Sequence, residues 1–202
     1  MSVSVADLAG PLHGRVVRLE PLAPEHEAGL LSAARDGDLF TWFPLDLAQS
    51  AETLHRWVTD SIEAARVGRE VPFAIVETVS GEPVGSTRFL ELRLEHLRAE
   101  IGWTWLARRA WGTGVNVEGK LLLLERAFER ARLRRVEFKT DARNERSRGA
   151  LSALGAEFEG VLRKHMVGQG GGPRDSAYYS VIDDEWPALK ARLQQRLERV
   201  AA

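Results

Sequence analysis

The sequence contains no cysteine. That absence excludes a disulfide framework, a thiolate-held zinc and a cysteine nucleophile together. No run approaches 18 apolar residues, so no segment is expected to cross a membrane and no membrane partner is expected. The opening MSVSVADLAGPLHGR lacks the apolar stretch of a secretory signal, and the cytoplasm is the expected location. Charge of one sign is also missing: 28 Lys and Arg stand against 29 Asp and Glu, a net −1. So balanced a chain has no field to hold nucleic acid, and no nucleic-acid partner is expected. There is no internal repeat and no charge block. The one biased segment, VGQGGGPRD at 167–175, reads as a loop tip. His13, His26, His55, His96 and His165 are scattered without ligand spacing, so no metal is expected.

What remains is an ordinary apolar and polar mixture over 202 residues, one domain in length. Residues 1–13 are expected to be a flexible tail and 183–202 a C-terminal helix with Asp183 as its cap. RVVRLEPL (15–22) alternates as a strand. Pro24 opens a helix to about Asp36, and the aromatic cluster FTWFP (40–44) interrupts. Leu54, Trp57, Val58 and Ile62 space a helix over 51–68. PFAIVET (72–78), 84–94 and 99–106 read as three strands, the first two joined at the turn SGEP. Val117, Leu121, Leu124, Phe128 and Ala131 line one face of a long helix. A strand follows at 134–140, then a short helix at 145–154 stopped by Gly155. A final hairpin, 159–167 with 176–182, flanks the glycine loop. The order β-α-α-β-β-β-α-β-α-β-β predicts an α/β protein of the α+β kind, a mixed sheet with helices on its faces.

Two phosphate-binding patterns overlap at WGTGVNVEGKLLLL (111–124). Gly114, Gly119 and Lys120 fit the nucleotide loop G-x-x-x-x-G-K, whereas Arg109, Gly112 and Gly114 fit R-x-x-G-x-G. The nucleotide loop requires Ser or Thr after the lysine to hold Mg²⁺, and here Leu121 follows. Gly119 and Lys120 also lie inside the periodic helix, whose N–H groups are spent on its own carbonyls. On this register Lys120 has no part in anion binding. The second pattern suits the physics: a strand ends, glycines turn the chain tightly, and a helix starts near 113–116. First-turn N–H groups have no partner in the helix, and with the helix dipole they form an anion site. Arg108 and Arg109 add positive charge. The plain alternative is a strand-to-helix turn with glycines for geometry alone.

These residues carry a resemblance. The strand–RAWGTG–helix unit is similar to the acyl-CoA pyrophosphate loop of the GNAT acetyltransferases. The match continues through RVVRLEPL, AEIGW, WGTGVNVEGK, NERS with ALGAEFEGVLRK, RDSAYYSV and DDEWP, in that order over nearly the whole chain. It is strongest with the RimJ/RimL-type branch, whose named members acetylate N-terminal amines of ribosomal proteins. One departure is the segment VNVEG, where that branch often carries Ala-Thr-Glu-Ala. Glu118 keeps the acidic position, while Gly119 weakens the helix by about 1 kcal/mol relative to alanine.

The resemblance implies a GNAT-like fold and direct acyl transfer from acetyl-CoA to an amine in a ternary complex, with no metal. The acceptor it implies is the α-amino group of a protein or peptide N-terminus. It puts the cofactor on Trp111, Gly112, Thr113, Gly114, Val115 and Asn116, with Arg108 and Arg109 beside them. Backbone N–H groups near Trp105 and Leu106, at the splayed strand end, are candidates for holding the thioester oxygen. Glu100 is the candidate base, through water, or else a strand carboxylate paired with an arginine. Asn144 is expected to hold the pantetheine arm and Ser147 to protonate the thiolate, Ser147 also being a helix cap or near-cap. Tyr178 or Tyr179 is the alternative acid; on a strand only one of them can face the cleft. Trp42, Phe43 and Trp57 could line the acceptor pocket or belong to the core. Two further readings stay open: an enzyme of this fold acting on a small amine (antibiotic, polyamine or amino acid), and a non-catalytic CoA-binding regulator. Monomer and homodimer are both compatible with the sequence.

Overall fold

The computed structural model describes residues 3–35 and 37–201. Its centre is one eight-stranded mixed sheet: β1 (Leu12–His13), β2 (Val17–Pro21), β3 (Val71–Glu77), β4 (Pro83–Arg93), β5 (Arg98–Leu106), β6 (Arg135–Asp141), β7 (Glu157–Val167) and β8 (Pro173–Ile182). The spatial order is β1-β2-β3-β4-β5-β6-β8-β7. Neighbours run antiparallel except β5 and β6, which are parallel. A parallel pair needs a crossover, and the helix α4 (Val115–Glu125) supplies it. The other helices are α1 (Val5–Leu8), α2 (Glu27–Ala34), α3 (Ala51–Arg66), α5 (Glu145–Leu154) and α6 (Trp186–Ala201). From β2 to β8 the element order is the one the sequence predicts.

Burial explains the sheet's central run. Residues 71–76 of β3 are buried without alternation, because both faces are covered. Phe73 and Ile75 join the cluster under α4 and α6, with Phe89, Ile101, Leu124 and Phe138. Ala74 and Val76 join the cluster under α2 and α3, with Leu54, Trp57, Val58 and Trp105.

Four expectations change. Residues 5–13 form α1 and β1 rather than a flexible tail: Leu8 and Leu12 are buried, and Arg126 donates to the carbonyls of Ala9 and Pro11. The helix after Pro24 starts as a 3₁₀ turn over Pro24–His26 and its α-helical part ends at Ala34; Asp36 lies outside the described residues. The C-terminal helix starts at Trp186, whose N–H meets the backbone carbonyl of Asp183, not a capping side chain. The apolar stripe from Val117 to Ala131 is buried throughout but passes through a π-helical turn at Arg126–Arg130.

Glu118 fixes α4 against the sheet. Its carboxylate accepts from the N–H groups of Arg15, Val16 and Val17 at 2.9, 2.7 and 2.9 Å. Gly14 is required beside it, since a Cβ there would lie 2.4 Å from Glu118 Oε2. The acidic position in VNVEG is therefore an anchor for the β1–β2 turn. At the other end of the fold, Gly155 (φ 100°) closes α5 with N–H bonds to Leu151 and Ser152, and Ala156 bonds back to Leu151, the two-bond helix stop that favours glycine.

Candidate active site

The parallel pair is short. β5 and β6 pair only at Arg98–Arg135, Ala99–Val136 and Glu100–Glu137. Beyond Glu100 the strands part, so the β6-facing edge of residues 102–106 has no strand partner. The separation coincides with a bulge. Ser86 and Arg88 of β4 oppose Trp105 and Gly102, which leaves one extra residue in β5. Trp103 sits there with φ 50°, a left-handed value unusual for a bulky side chain. The gap opens into a cavity of about 680 Å³.

The glycine turn opens on the same cavity. A short turn at Arg108–Ala110 follows β5, and Gly112 and Gly114 take φ values of 77° and 87°, which cost an L side chain about 1–2 kcal/mol. Gly114 is the N-cap of α4. The first helical bond runs from Glu118 N–H to the Gly114 carbonyl, so the N–H groups of Val115, Asn116 and Val117 have no acceptor within the helix. Trp111, Gly112 and Asn116 line the cavity, as do Trp105 and Leu106. Arg108, Arg109, Thr113, Gly114 and Val115 do not. Arg108 is ion-paired with Asp38 and lies over the Trp111 ring; Arg109 is exposed. Val115 packs in the core, and Thr113 Oγ1 donates to the Ala110 carbonyl at 2.8 Å. Arg146, from the first turn of α5, does line the cavity and lies 4.0 Å from the Trp111 ring centroid.

Glu100 is 3% exposed and lines the cavity. Its partner is Lys139, at 3.2 Å, rather than an arginine. Among the described residues Glu100 Oε2 has no hydrogen-bond partner beyond this contact. Burial pushes the Glu100 pKa above the ordinary carboxylate value; Lys139 pulls the other way without cancelling it. A carboxylate moved in that direction is better matched to taking a proton near neutrality.

Asn144 and Ser147 both line the cavity. The cap of α5 is Asn144, not Ser147: Asn144 Oδ1 accepts from the Ser147 N–H at 3.0 Å. Neither tyrosine is on the wall. Tyr179 is buried under α5, accepting from Arg148 Nε at 3.3 Å and packing on Phe158. Tyr178 lies on the opposite face of β8, 3.5 Å from His165 Nε2. Burial, reinforced by Glu100, Glu137 and Glu91, pushes its hydroxyl up to about 12, which makes it a poor proton donor.

Trp42, Phe43 and Pro44, from the loop between α2 and α3, also line the cavity. Trp57 does not join them; it packs in the core, with Arg88 5.0 Å from its ring centroid. Lys120, Lys139 and Arg174 also line the cavity; the one pattern that touched Lys120 was the rejected nucleotide loop, and none marked Lys139 or Arg174. They come from α4, β6 and β8, and only the fold brings them together.

A family model described as the acetyltransferase (GNAT) domain matches residues 17–157. The chain is 32% identical to the uncharacterized N-acetyltransferase p20 of Bacillus licheniformis over 103 residues, which cover 51% of this chain and 57% of p20. Among solved structures it resembles a GCN5-related N-acetyltransferase from Brucella melitensis, with a TM-score of 0.87 and 30% identity over 93% of this chain and 85% of that one. It also resembles Mycobacterium smegmatis RimJ in complex with CoA-disulfide, with a TM-score of 0.78 and 25% identity over 94% of each chain. No helix among the described residues is long and apolar enough to cross a membrane. Parted parallel strands, a glycine turn at the head of the crossover helix and a match over the body of the chain lead to one assignment: the chain belongs to the GNAT family of acetyltransferases.

Proposed function

We propose that the chain transfers the acetyl group of acetyl-CoA to the α-amino group of a protein or peptide N-terminus, by direct attack within a ternary complex. The observation that carries this reading is one cavity with two chemically different ends. One end is the turn Trp111–Asn116 at the head of α4, and the other is buried Glu100.

The diphosphate would rest on the N–H groups of residues 111–116, with Arg146 supplying charge. The pantetheine arm would follow the unpartnered edge of β5 toward Trp105. Asn144 gives its oxygen to the α5 cap, so the arm would meet its amide N–H groups. Free N–H groups along residues 102–106 would take the thioester oxygen as it gains charge. Glu100 would remove a proton from the acceptor amine through water, and Ser147 would stand at the sulfur end.

The acceptor class is argued from proton affinity. An α-amino group has a reference pKa of about 7.7–8.0, a lysine amine about 10.4. At pH 7.5 roughly a third of the first is neutral, and only about 0.1% of the second. One carboxylate acting through water is adequate for the first. The resemblance to RimJ favours the same class.

Gly114→Val tests the cofactor end. The added side chain meets a left-handed backbone (φ 87°) at the N-cap. CoA binding measured by calorimetry is expected to weaken by about tenfold or more, the equivalent of about 1.4 kcal/mol. Wild-type affinity in that variant would remove the loop assignment.

A further inference from the structure

The cavity wall carries a buried amine. Lys120 points from α4 toward the sheet and is 7% exposed. Its Nζ donates to Thr104 Oγ1 at 2.6 Å, and Thr104 Oγ1 in turn meets Thr87 Oγ1 at 2.8 Å. The amine lies 5.7 Å from the Phe138 ring centroid. Thr104 and Phe138 stand on β5 and β6 beyond their last paired residues, Glu100 and Glu137, so the amine sits at the floor of the gap between the strands.

Among the described residues no carboxylate is ion-paired with Lys120. The charged groups that share its cavity are Glu91 of β4, Glu100 of β5, Lys139 of β6, Arg146 of α5 and Arg174 of β8. Glu100 is held by Lys139 and Arg146 lies on Trp111, while Arg174 has Asp141 3.8 Å away. Glu118, on its own helix, turns to the β1–β2 segment. The β2 side chain nearest this part of α4 is apolar, Leu19. A lysine buried without a counterion is costly. A chain that keeps one on the wall of its cavity has a use for a proton there.

We propose that Lys120 is the group that protonates the departing thiolate, a role that rests on the acetyl-transfer reading above. The acceptor nitrogen bonds to the acyl carbon and the carbon–sulfur bond breaks. The Lys120 ammonium gives one proton to sulfur and becomes a neutral amine. The acceptor nitrogen loses its surplus proton through water to Glu100 and then to solvent, and Lys120 regains one from solvent. Burial brings the Lys120 pKa down to about 7. A reference thiol lies near 8.5, so this transfer runs downhill, which a serine hydroxyl at Ser147 does not offer.

The test is Lys120→Met, whose length and apolar character suit the slot, assayed from pH 6 to 10 on the best acceptor from a panel of peptides and small amines. The expected result is a kcat lower by about a hundredfold, in the range of general acid catalysis. The KM for acetyl-CoA stays within about threefold, because the interaction matters only in the transition state. The wild-type decline of kcat above neutral pH disappears in the variant. Lys120→Arg, which keeps the charge but cannot release a proton near neutrality, stays slow. A Lys120→Met kcat within about threefold of wild type overturns the proposal. So does a loss confined to KM or to CoA binding by calorimetry, which would make Lys120 an anchor for the arm, and so does full activity in Lys120→Arg. Acetylation of Lys120 after incubation with acetyl-CoA alone, found by mass spectrometry, overturns it by making the amine a nucleophile. A wild type that turns over no acceptor fails at the earlier step, removing the acetyl-transfer reading and this role with it.

Discussion

Glu118→Ala is expected to lower the melting temperature by about 10 °C. The carboxylate is 5% exposed and satisfies three successive backbone N–H groups. Hydrogen bonds to a charged group contribute about 1.5–3 kcal/mol each, and a donor left unsatisfied costs about 1–3 kcal/mol. The Arg15 and Val16 bonds lie in a half-buried setting where water can replace part of the loss, whereas the Val17 bond is buried. The sum is roughly 3–4 kcal/mol, and for a chain of this size each kcal/mol moves the midpoint by about 2–4 °C. Glu118→Gln should fall between, since its one remaining oxygen still accepts while its amide group confronts an N–H. Thermal unfolding followed by circular dichroism checks this, and a Glu118→Ala midpoint within about 2 °C of wild type would contradict the anchoring role.

Lys120→Met should raise stability, and by an amount that depends on pH. The unfolded chain holds the lysine proton up to about pH 10.4. The folded chain releases it near 7. Between those values the unfolded chain binds more protons, so wild-type stability rises with pH. Below about pH 7 the full penalty of charging the buried amine is present; above about pH 10.5 it is gone. Each tenfold change in proton affinity is about 1.4 kcal/mol, which puts the penalty on the order of 5 kcal/mol. Denaturant unfolding should therefore find Lys120→Met more stable than wild type by several kcal/mol at pH 6 and nearly equal at pH 10.5. A gap that does not change with pH would mean that the amine stays charged when buried. The same variant is expected to gain stability and lose turnover, as a residue kept for chemistry rather than for folding should.

Much of the fold was legible because it rests on local periodicity. The strands β2 to β6, the helix α3 and the stop at Gly155 are written in spacing and turn chemistry, and their ends fall within a few residues of expectation. The glycine turn at the head of α4 was legible for the same reason, since its glycines and the helix behind them are consecutive. Residues 5–13 were misread because their apolar positions, Leu8 and Leu12, are too few to show a period; tertiary packing orders them. The role of Glu118 was hidden because its partners lie about a hundred residues away. Lys120 was set aside on a sound argument about its backbone: Gly119 and Lys120 are helical, and no phosphate loop forms there. A helical backbone settles the N–H groups only and leaves open the side chain, which the helix aims into the cavity. Lys139 and Arg174 carry no motif, and strand alternation alone cannot say which face will border a gap. The two tyrosines illustrate the same point. Alternation separated Tyr178 from Tyr179, but it does not say how far along β8 the cavity extends, and the wall takes Arg174 from that strand and neither tyrosine.

Acetyl transfer to α-amines assisted by Glu100 is decided by a pH–rate profile of wild type and Glu100→Gln on matched peptide and polyamine panels. An α-amine that is already partly neutral needs little help, so the Glu100→Gln loss on a peptide N-terminus should stay within about tenfold at pH 8 and shrink at pH 9. The wild type should favour peptides over polyamines throughout. The acid limb of its profile should lie above the usual carboxylate range, because burial raises Glu100. A wild type that prefers polyamines, with a Glu100→Gln loss beyond about a thousandfold, would contradict the account and assign the cavity to small, strongly basic amines.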